Sequence, residues 1–492
     1  MISKLNNLMV SLSLSDSIQF VERHPFLSII GALTGVWTIK QLKKPRNLPP
    51  GPISLPFIGG TWALYLYGNL QKLRQKYGDV FSMYIGSELV IYIFSKDLIK
   101  EVYVDRRSDF SAGNTNLFDL TNKSLVNSSN TDRWKKIKLL ILPLFNCYIA
   151  HNLEKTVNWT MEGVCRKLTE NNNVLNPDKL IRQALTQIAL SLYLNERRNL
   201  DDFELNLLQD TISQAFSAFS NFVFNPFINF VPFPNVVFRK SFIRPIELGR
   251  KLRQFFQNRL IKRQKYHNQT KPGDFLHALM ILFDNATDGQ VIDIFIILII
   301  DSIHTISIGI LWTILRLALN QKLQYEIHEL IDRATGNRCP NLTDRAKLAL
   351  IEAAFLEALR LDDLLMASVY HRSIKNTELK GYFIPKDTAV KAVVESVHLD
   401  EQVYSDPYSY KPHRFLSDNG LLIRSDEFLS FGLGSRRCIG EQMVRIEAFL
   451  ILSTLLFSFK MEFDGSEPSI ERQNNSAIPT PHPFKIKFTP RR

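Results

Sequence analysis

The chain has 492 residues, 45% apolar and 22% charged, a globular balance that excludes a disordered, collagen-like or fully membrane-embedded protein. Lys and Arg number 60 against 48 acidic residues, a net charge of +12. That excess is spread along the chain with no arginine-rich tail, so it points to an anionic membrane surface or an acidic protein rather than to nucleic acid. Four cysteines (Cys147, Cys165, Cys339 and Cys438) form no CxxC pair, which excludes a disulfide scaffold and a zinc ribbon.

Residues 1–25 precede an apolar segment at 26–40. Its core, Phe26 to Ile39, is 14 residues long, short of the roughly 20 that a span needs. The flanks favour a membrane anchor. Lys40, Lys43, Lys44 and Arg46 follow it and only Arg23 lies close before it, which places 1–25 in the lumen and the body in the cytosol. A buried first helix is the alternative. A cleaved signal peptide fits less well, because no small-x-small cleavage site follows. Prolines at 45, 49, 50 and 52 cannot continue a helix, so 41–52 reads as a stiff linker. The body runs over 53–492. On this topology the sequons at Asn158 and Asn268 stay unglycosylated.

Within the body, Asp79 to Phe94 alternates as two short strands turning at Gly86-Ser87. Periodic Leu, Ile and Phe between Asn and Asp residues then predict mostly helix. Phe216 to Phe242 holds nine Phe residues, broken by Pro226, Pro232 and Pro234. It reads either as core or as a greasy loop at the mouth of a lipophilic site. Val291 to Leu319 is apolar nearly all round, a helix buried inside a large protein. Asp301, Ser302, His304, Thr305 and Ser307 interrupt it. Buried polar groups are costly unless paired, so this cluster either lines a wet pocket or bonds within itself. Glu357 and Arg360 stand three apart on one helical face. Leu379 to Val394 predicts a second strand cluster, and Phe484 to Phe488 a last strand.

Phe431 to Gly440 reads FGLGSRRCIG. Its glycines permit a close-approaching backbone, and Cys438 sits where an apolar helix begins. A thiol there, beside Arg436 and Arg437, is expected to have a lowered pKa. The GxG is no dinucleotide fingerprint, since Arg437 stands where the third Gly is needed. With no other nucleotide motif, electrons have to come from a separate protein.

Phe431, Gly434, Arg436, Cys438 and Gly440 match the F-x-x-G-x-R-x-C-x-G spacing. The loop therefore resembles the haem-binding loop of the haem-thiolate monooxygenases, the cytochrome P-450 superfamily, of microsomal type. The resemblance implies a mainly α fold with small β-sheets, an amino-terminal membrane anchor and haem b held by Cys438 as axial thiolate. It makes Glu357 and Arg360 the E-x-x-R pair, with Arg414 of Pro412-His413-Arg414-Phe415 as the third member of a structural network. His413 departs from the usual Glu. Trp134, Lys138, His371 and Arg436 fall where propionate partners are expected, and Arg133, Lys135, Lys136 and Arg437 offer a basic docking face.

The central helix would carry the oxygen-activating motif A/G-G-x-D/E-T. Here Thr305 is kept, Ser302 replaces the Gly and His304 replaces the acid. Proton delivery then falls to Thr305 with His304 or Asp301; service as a distal iron ligand is the alternative role for His304. The run after Arg360 lacks the usual prolines. Asn114 to Asn127, Met366 to Tyr370 and Ala477 to Thr480 line the pocket by family position.

The implied function is insertion of one oxygen atom from O2 into a lipophilic small molecule, a sterol, fatty acid or xenobiotic. Electrons would come from an NADPH-cytochrome P-450 reductase, with cytochrome b5 as a second donor, at the cytosolic side of the endoplasmic reticulum membrane. Two other readings stay open: a haem-thiolate isomerase or dehydratase acting on peroxides without external electrons, and a non-catalytic haem carrier or sensor.

Overall fold

A computed structural model describes residues 45–55, 58–86, 88–112, 131–170, 174–224, 239–264, 273–282, 288–362, 371–465, 467–473 and 479–492, with the isolated Arg23 and Gly35. The expected anchor at 26–40, the loop 225–238 and the segments 113–130 and 363–370 fall outside the described residues, Arg23 and Gly35 aside.

Helices dominate. In chain order the main ones are α1 (Trp62–Tyr67), α2 (Leu70–Tyr77), α3 (Thr131–Leu144), α4 (His151–Glu170), α5 (Pro177–Leu194) and α6 (Phe203–Phe224). They continue as α7 (Arg239–Gln264), α8 (Phe275–Leu282), α9 (Asp288–Leu319), α10 (Gln321–Thr335), α11 (Ala349–Leu361) and α12 (Glu441–Ser458). The Asn punctuation marks real caps. Asn176 accepts from Asp178 N ahead of Pro177 at the start of α5, and Asn320 accepts from Leu323 N at the start of α10. Such caps satisfy amide groups that the first turn leaves unpaired. At the far end of α5, Asn195 takes a left-handed φ of 52°, which stops the helix.

The strands are β1 (Val80–Ile85), β2 (Glu88–Ile93), β3 (Phe110–Ala112), β4 (Val174–Leu175), β5 (His371–Ser373), β6 (Thr377–Leu379), β7 (Tyr382–Ile384), β8 (Ala389–Ala392), β9 (Phe459–Phe463) and β10 (Ile486–Pro490). The hairpin expected at Gly86-Ser87 is the β1–β2 pair, with Val80 opposite Ile93. The strand cluster expected at 379–394 divides. β6 and β7 form their own hairpin, while β8 joins β2 in parallel in a five-stranded sheet ordered β1-β2-β8-β5-β3. The last strand starts two residues later than expected and pairs with β9.

One helical core holds α4, α5, α9, α11 and α12 together, and two smaller clusters pack against the faces of the large sheet. Every residue of α11 is buried. Among the described residues one stretch, Val291–Leu319 of α9, is long and apolar enough to cross a membrane. It is mostly enclosed by the other helices, so it serves as the central beam of the core. Asn158 lies mid-helix in α4 with Thr160 fully buried. Glycosylation there would require unfolding, so Asn158 stays unmodified on either topology and that sequon reports nothing about orientation.

Candidate active site

The cysteine loop is built by backbone geometry. Gly432 and Gly434 adopt φ of 74° and 71°, a region L side chains avoid. A Cβ on Gly434 would stand 2.2 Å from the carbonyl oxygen of Tyr103, so only Gly lets the loop lie against the turn at 101–105. Cys438 N donates to the Phe431 carbonyl at 2.8 Å, and Gly440 precedes the first turn of α12. Cys438 is exposed by surface area yet surrounded by protein closely enough to be desolvated.

Its thiol pKa is raised, not lowered as the sequence predicted. Burial outweighs both the Gly440 N–H and the Arg437 charge. Arg437 is committed elsewhere, to Glu441 through two bonds of 2.6 and 2.7 Å. A thiolate at this position therefore needs a metal to hold it.

Behind the loop lies the charge network. Glu357 and Arg360 are fully buried and joined at 2.7 and 2.9 Å. Arg414 Nε reaches Glu357 at 3.0 Å, and Lys411 N donates to the same oxygen at 2.9 Å. Arg360 also donates to the carbonyls of His398 and Pro407 at 2.6 and 2.8 Å. His398 Nε2 in turn accepts from Leu429 N at 2.9 Å, and Ser430 Oγ donates to the Leu359 carbonyl at 3.2 Å. The network is thus tied directly to the strand of chain entering the cysteine loop. His413 stays outside it and pairs with Glu326 at 2.9 Å.

The basic residues expected around the cofactor converge in part. Lys138 Nζ approaches the Ser435 carbonyl at 3.4 Å. Its pKa is lowered, first by burial and then by Arg436 and Arg437 against the pull of Cys438. Burial likewise brings Arg436 down to about 10. His371 is buried in β5 with its ring 3.8 Å from that of Tyr103. Trp134 lies in α3, and its side chain is outside the described atoms, as are those of Arg133 and Lys136; Lys135 is exposed. Two desolvated cations beside a thiol form a setting that a dianionic porphyrin completes: sulfur for iron, Lys138 and Arg436 for carboxylates. The residues present fit haem.

On the opposite wall, α9 presents the polar turn. Ser302 Oγ donates to the Ile299 carbonyl at 2.9 Å, Thr305 Oγ1 to the Asp301 carbonyl at 2.6 Å, and Ser307 Oγ to the His304 carbonyl at 2.7 Å. His304 is buried, with Phe216 against its ring, and Nδ1 accepts from Arg182 Nη1 at 2.5 Å. Arg182 is held by Asp178 at 2.6 Å. Burial, and then the Arg182 charge, push the His304 pKa down to about 2. A neutral ring committed to Arg182 neither carries protons at ordinary pH nor reaches for iron, which removes both roles proposed for His304 from sequence.

Asp301 differs. Its carboxylate has no partner among the described residues, and it is open to space yet walled by protein. Burial pushes its pKa up to about 7. Its charge is one of the smaller influences that raise the Cys438 thiol pKa.

Sequence reasoning missed three features. Arg182 lies 122 residues from His304. Asp362, two residues after Arg360, clamps Arg316 of α9 at 3.0 Å. Glu447 of α12 is a carboxyl only 3% exposed, with its pKa pushed up to about 8 by burial. Of the pocket segments expected by position, Pro479 and Thr480 are described, and Trp312 Nε1 donates to the Pro479 carbonyl at 2.9 Å.

A helical body enclosing a cysteine loop, with an E-x-x-R network behind it and a polar turn opposite, defines a haem-thiolate oxygenase. The family description "Cytochrome P450" matches residues 49–488, and the chain belongs to that family. It is 27% identical to Cytochrome P450 2H1 of Gallus gallus over 90% of this chain and 94% of that one. It is 26% identical to Cytochrome P450 2A6 of Homo sapiens over 93% and 96%, and 26% identical to Cytochrome P450 2C23 of Rattus norvegicus over 94% and 96%. The protein is a haem-dependent P450 monooxygenase.

Proposed function

We propose that the protein inserts one oxygen atom from O2 into a lipophilic small molecule, using electrons from an NADPH-dependent reductase, with cytochrome b5 as a second donor. The observation that carries this reading is the Cys438 loop tied to the buried Glu357–Arg360–Arg414 network, together with a turn of α9 that keeps Thr305 one turn from Asp301. When bound, the haem iron supplies dioxygen activation; the rest is the work of the chain.

Cys438 would hold the iron, and Lys138 and Arg436, with His371 and Trp134, would hold the carboxylates. Thr305 hands protons into the cavity. Its hydroxyl rests on the Asp301 carbonyl at 2.6 Å and needs only a rotation to face inward. Asp301, with a pKa of about 7, is the acid that refills it, as a group titrating near working pH does best. The stripe Ile297, Leu298, Asp301 and Thr305 recurs at helical spacing as the accessible side of an otherwise buried helix, so the walls suit an apolar substrate.

The electron donor is assigned to the outer side of the cysteine loop. There a groove of about 370 Å3 is lined by Arg424, Arg437, Arg445 and Glu441, and Lys135 is exposed. A basic rim of this kind favours an acidic partner. The segment 26–40 anchors the body (53–492) to the endoplasmic reticulum membrane from the cytosolic side. Ile53 (73% exposed) and Leu66 (69%), just beyond the proline linker, support a membrane-facing end. The peroxide-isomerase and sensor readings find no such support. The distal turn keeps a hydroxyl and an acid, and His304 is turned away to Arg182.

Reconstitution tests the reading. Product formation should require O2, NADPH and reductase together. Turnover of a hydroperoxide in their absence, with no NADPH-dependent product across lipophilic substrates, would replace it with the isomerase reading.

A further inference from the structure

His398 closes the short helix Glu395–His398 and is fully buried. Its backbone and its ring bond to different parts of the site. The carbonyl accepts from Arg360 Nη1 at 2.6 Å, which ties it to the Glu357–Arg360 pair. The ring Nε2 accepts from Leu429 N at 2.9 Å. From Leu429 a run of backbone bonds reaches the cysteine. The Leu429 carbonyl accepts from Gly432 N at 2.8 Å, and the Phe431 carbonyl accepts from Cys438 N at 2.8 Å. An imidazole that accepts at Nε2 carries its proton on Nδ1. Nδ1 has no hydrogen-bond partner among the described residues, and a buried unpaired donor costs free energy. The other tautomer would set a ring N–H against the Leu429 N–H. The tautomer present thus serves Leu429 at the expense of Nδ1. Burial, and then the Arg360 charge, push the ring pKa down to about 3, so the lone pair stays available at ordinary pH.

We propose that His398 is a positioning residue for Cys438: its Nε2 lone pair is the link through which the buried charge network sets the register of the cysteine loop. The inference rests on Cys438 as the iron ligand and names the group that aims it. Two features of the ring act on the loop. One is the lone pair. The other is stacking, since Phe428 lies against the His398 ring with centroids 5.8 Å apart and planes at 20°. Stacked rings hold over a broad range of offsets, whereas a hydrogen bond to one amide is directional. The lone pair therefore sets the position of Leu429, and the stack fills the space beside it. Without the lone pair the Leu429 N–H is buried and unpaired, and the turn at Gly432 loses its fixed start.

Two variants of the haem-loaded protein separate these features. His398→Gln keeps an acceptor, Oε1, and discards the ring. His398→Phe keeps a ring and discards the acceptor. One readout is amide hydrogen exchange at Leu429 and Gly432. The other is the rate at which the thiolate-type ferrous carbonyl band is lost on standing. In His398→Phe both rates should rise at least about fivefold, the lower end of what an unpaired buried donor costs, while exchange across α9 changes less than about twofold. In His398→Gln both rates should stay within about twofold of wild type. Wild-type rates in a folded His398→Phe overturn the proposal. An equal rise across α9 also overturns it, as general destabilisation. If His398→Phe does not fold, His398→Gln decides alone: wild-type rates support the lone pair, and a rise of about fivefold or more assigns the role to the ring and overturns the proposal. A wild-type protein without the thiolate band would overturn the Cys438 assignment itself, a result distinct from each of these.

Discussion

Arg182 donates from Nη1 to Nδ1 of His304 across 2.5 Å, linking α5 to the turn of α9 opposite Cys438. A guanidinium only donates, so Nδ1 is the acceptor and the ring proton sits on Nε2. Burial and the Arg182 charge hold the pKa near 2, far below the usual imidazole value. His304 is therefore predicted to stay neutral from pH 5 to pH 8. Nitrogen-15 NMR of histidine-labelled protein in the diamagnetic ferrous carbonyl form should show a non-titrating ring protonated at Nε2. A midpoint between 6 and 7 would restore His304 as a proton carrier. Arg182→Leu should cost about 1.5–3 kcal/mol, as loss of a charged hydrogen bond does.

Glu447 gives a pH dependence of opposite kind. Its native pKa of about 8 lies above the ordinary 4.5, so its contribution to stability is present at acid pH and is lost as pH rises through 8. Between pH 7 and pH 9 wild type should lose about 1.4 kcal/mol more than Glu447→Gln, because one proton leaves the native state that the unfolded chain has already released. Parallel denaturation curves across that range would show the carboxyl ionised throughout.

The buried trio predicts a large and asymmetric cost. Glu357→Ala strands the guanidiniums of Arg360 and Arg414, which Glu357 neutralises at 2.7 and 3.0 Å, and should cost about 3–5 kcal/mol. Arg414 keeps carbonyl partners at Ser405 and Asp406, so Arg414→Ala should cost less. Urea unfolding of the two variants, with haem content measured alongside, gives the order.

Gly434→Ala adds a Cβ 2.2 Å from the Tyr103 oxygen at a φ of 71°. Both the clash and the strained backbone, the latter of order 1–3 kcal/mol, act on the loop that presents Cys438. Faster haem loss to apomyoglobin is expected, with helicity by circular dichroism unchanged. Wild-type retention would mean that the loop shifts at no cost.

What the sequence made legible was what local chemistry fixes. Gly434, Cys438 and Gly440 were readable because a close backbone approach tolerates few residue types. Glu357 and Arg360 were readable because a spacing of three puts them on one helical face. The β1–β2 hairpin showed in its alternation and its Gly86 turn. Partners distant in the chain left no such mark. Nothing near His304 names Arg182, and nothing after Arg360 names the Asp362–Arg316 clamp. β9 was missed because FKMEF follows α12 without a Gly or Pro break. The Cys438 pKa was misjudged because sequence shows the neighbouring arginines but neither the burial nor Glu441, which occupies Arg437.

The account stands on Cys438 as the ligand that gives the iron its character. The most direct measurement is the carbon-monoxide difference spectrum of the reduced protein, wild type beside Cys438→Ala. Wild type should show the Soret band of a thiolate-ligated ferrous carbonyl, and the variant should lack it. A thiolate-type band that persists in Cys438→Ala, or a wild-type protein that never shows one, would contradict the assignment.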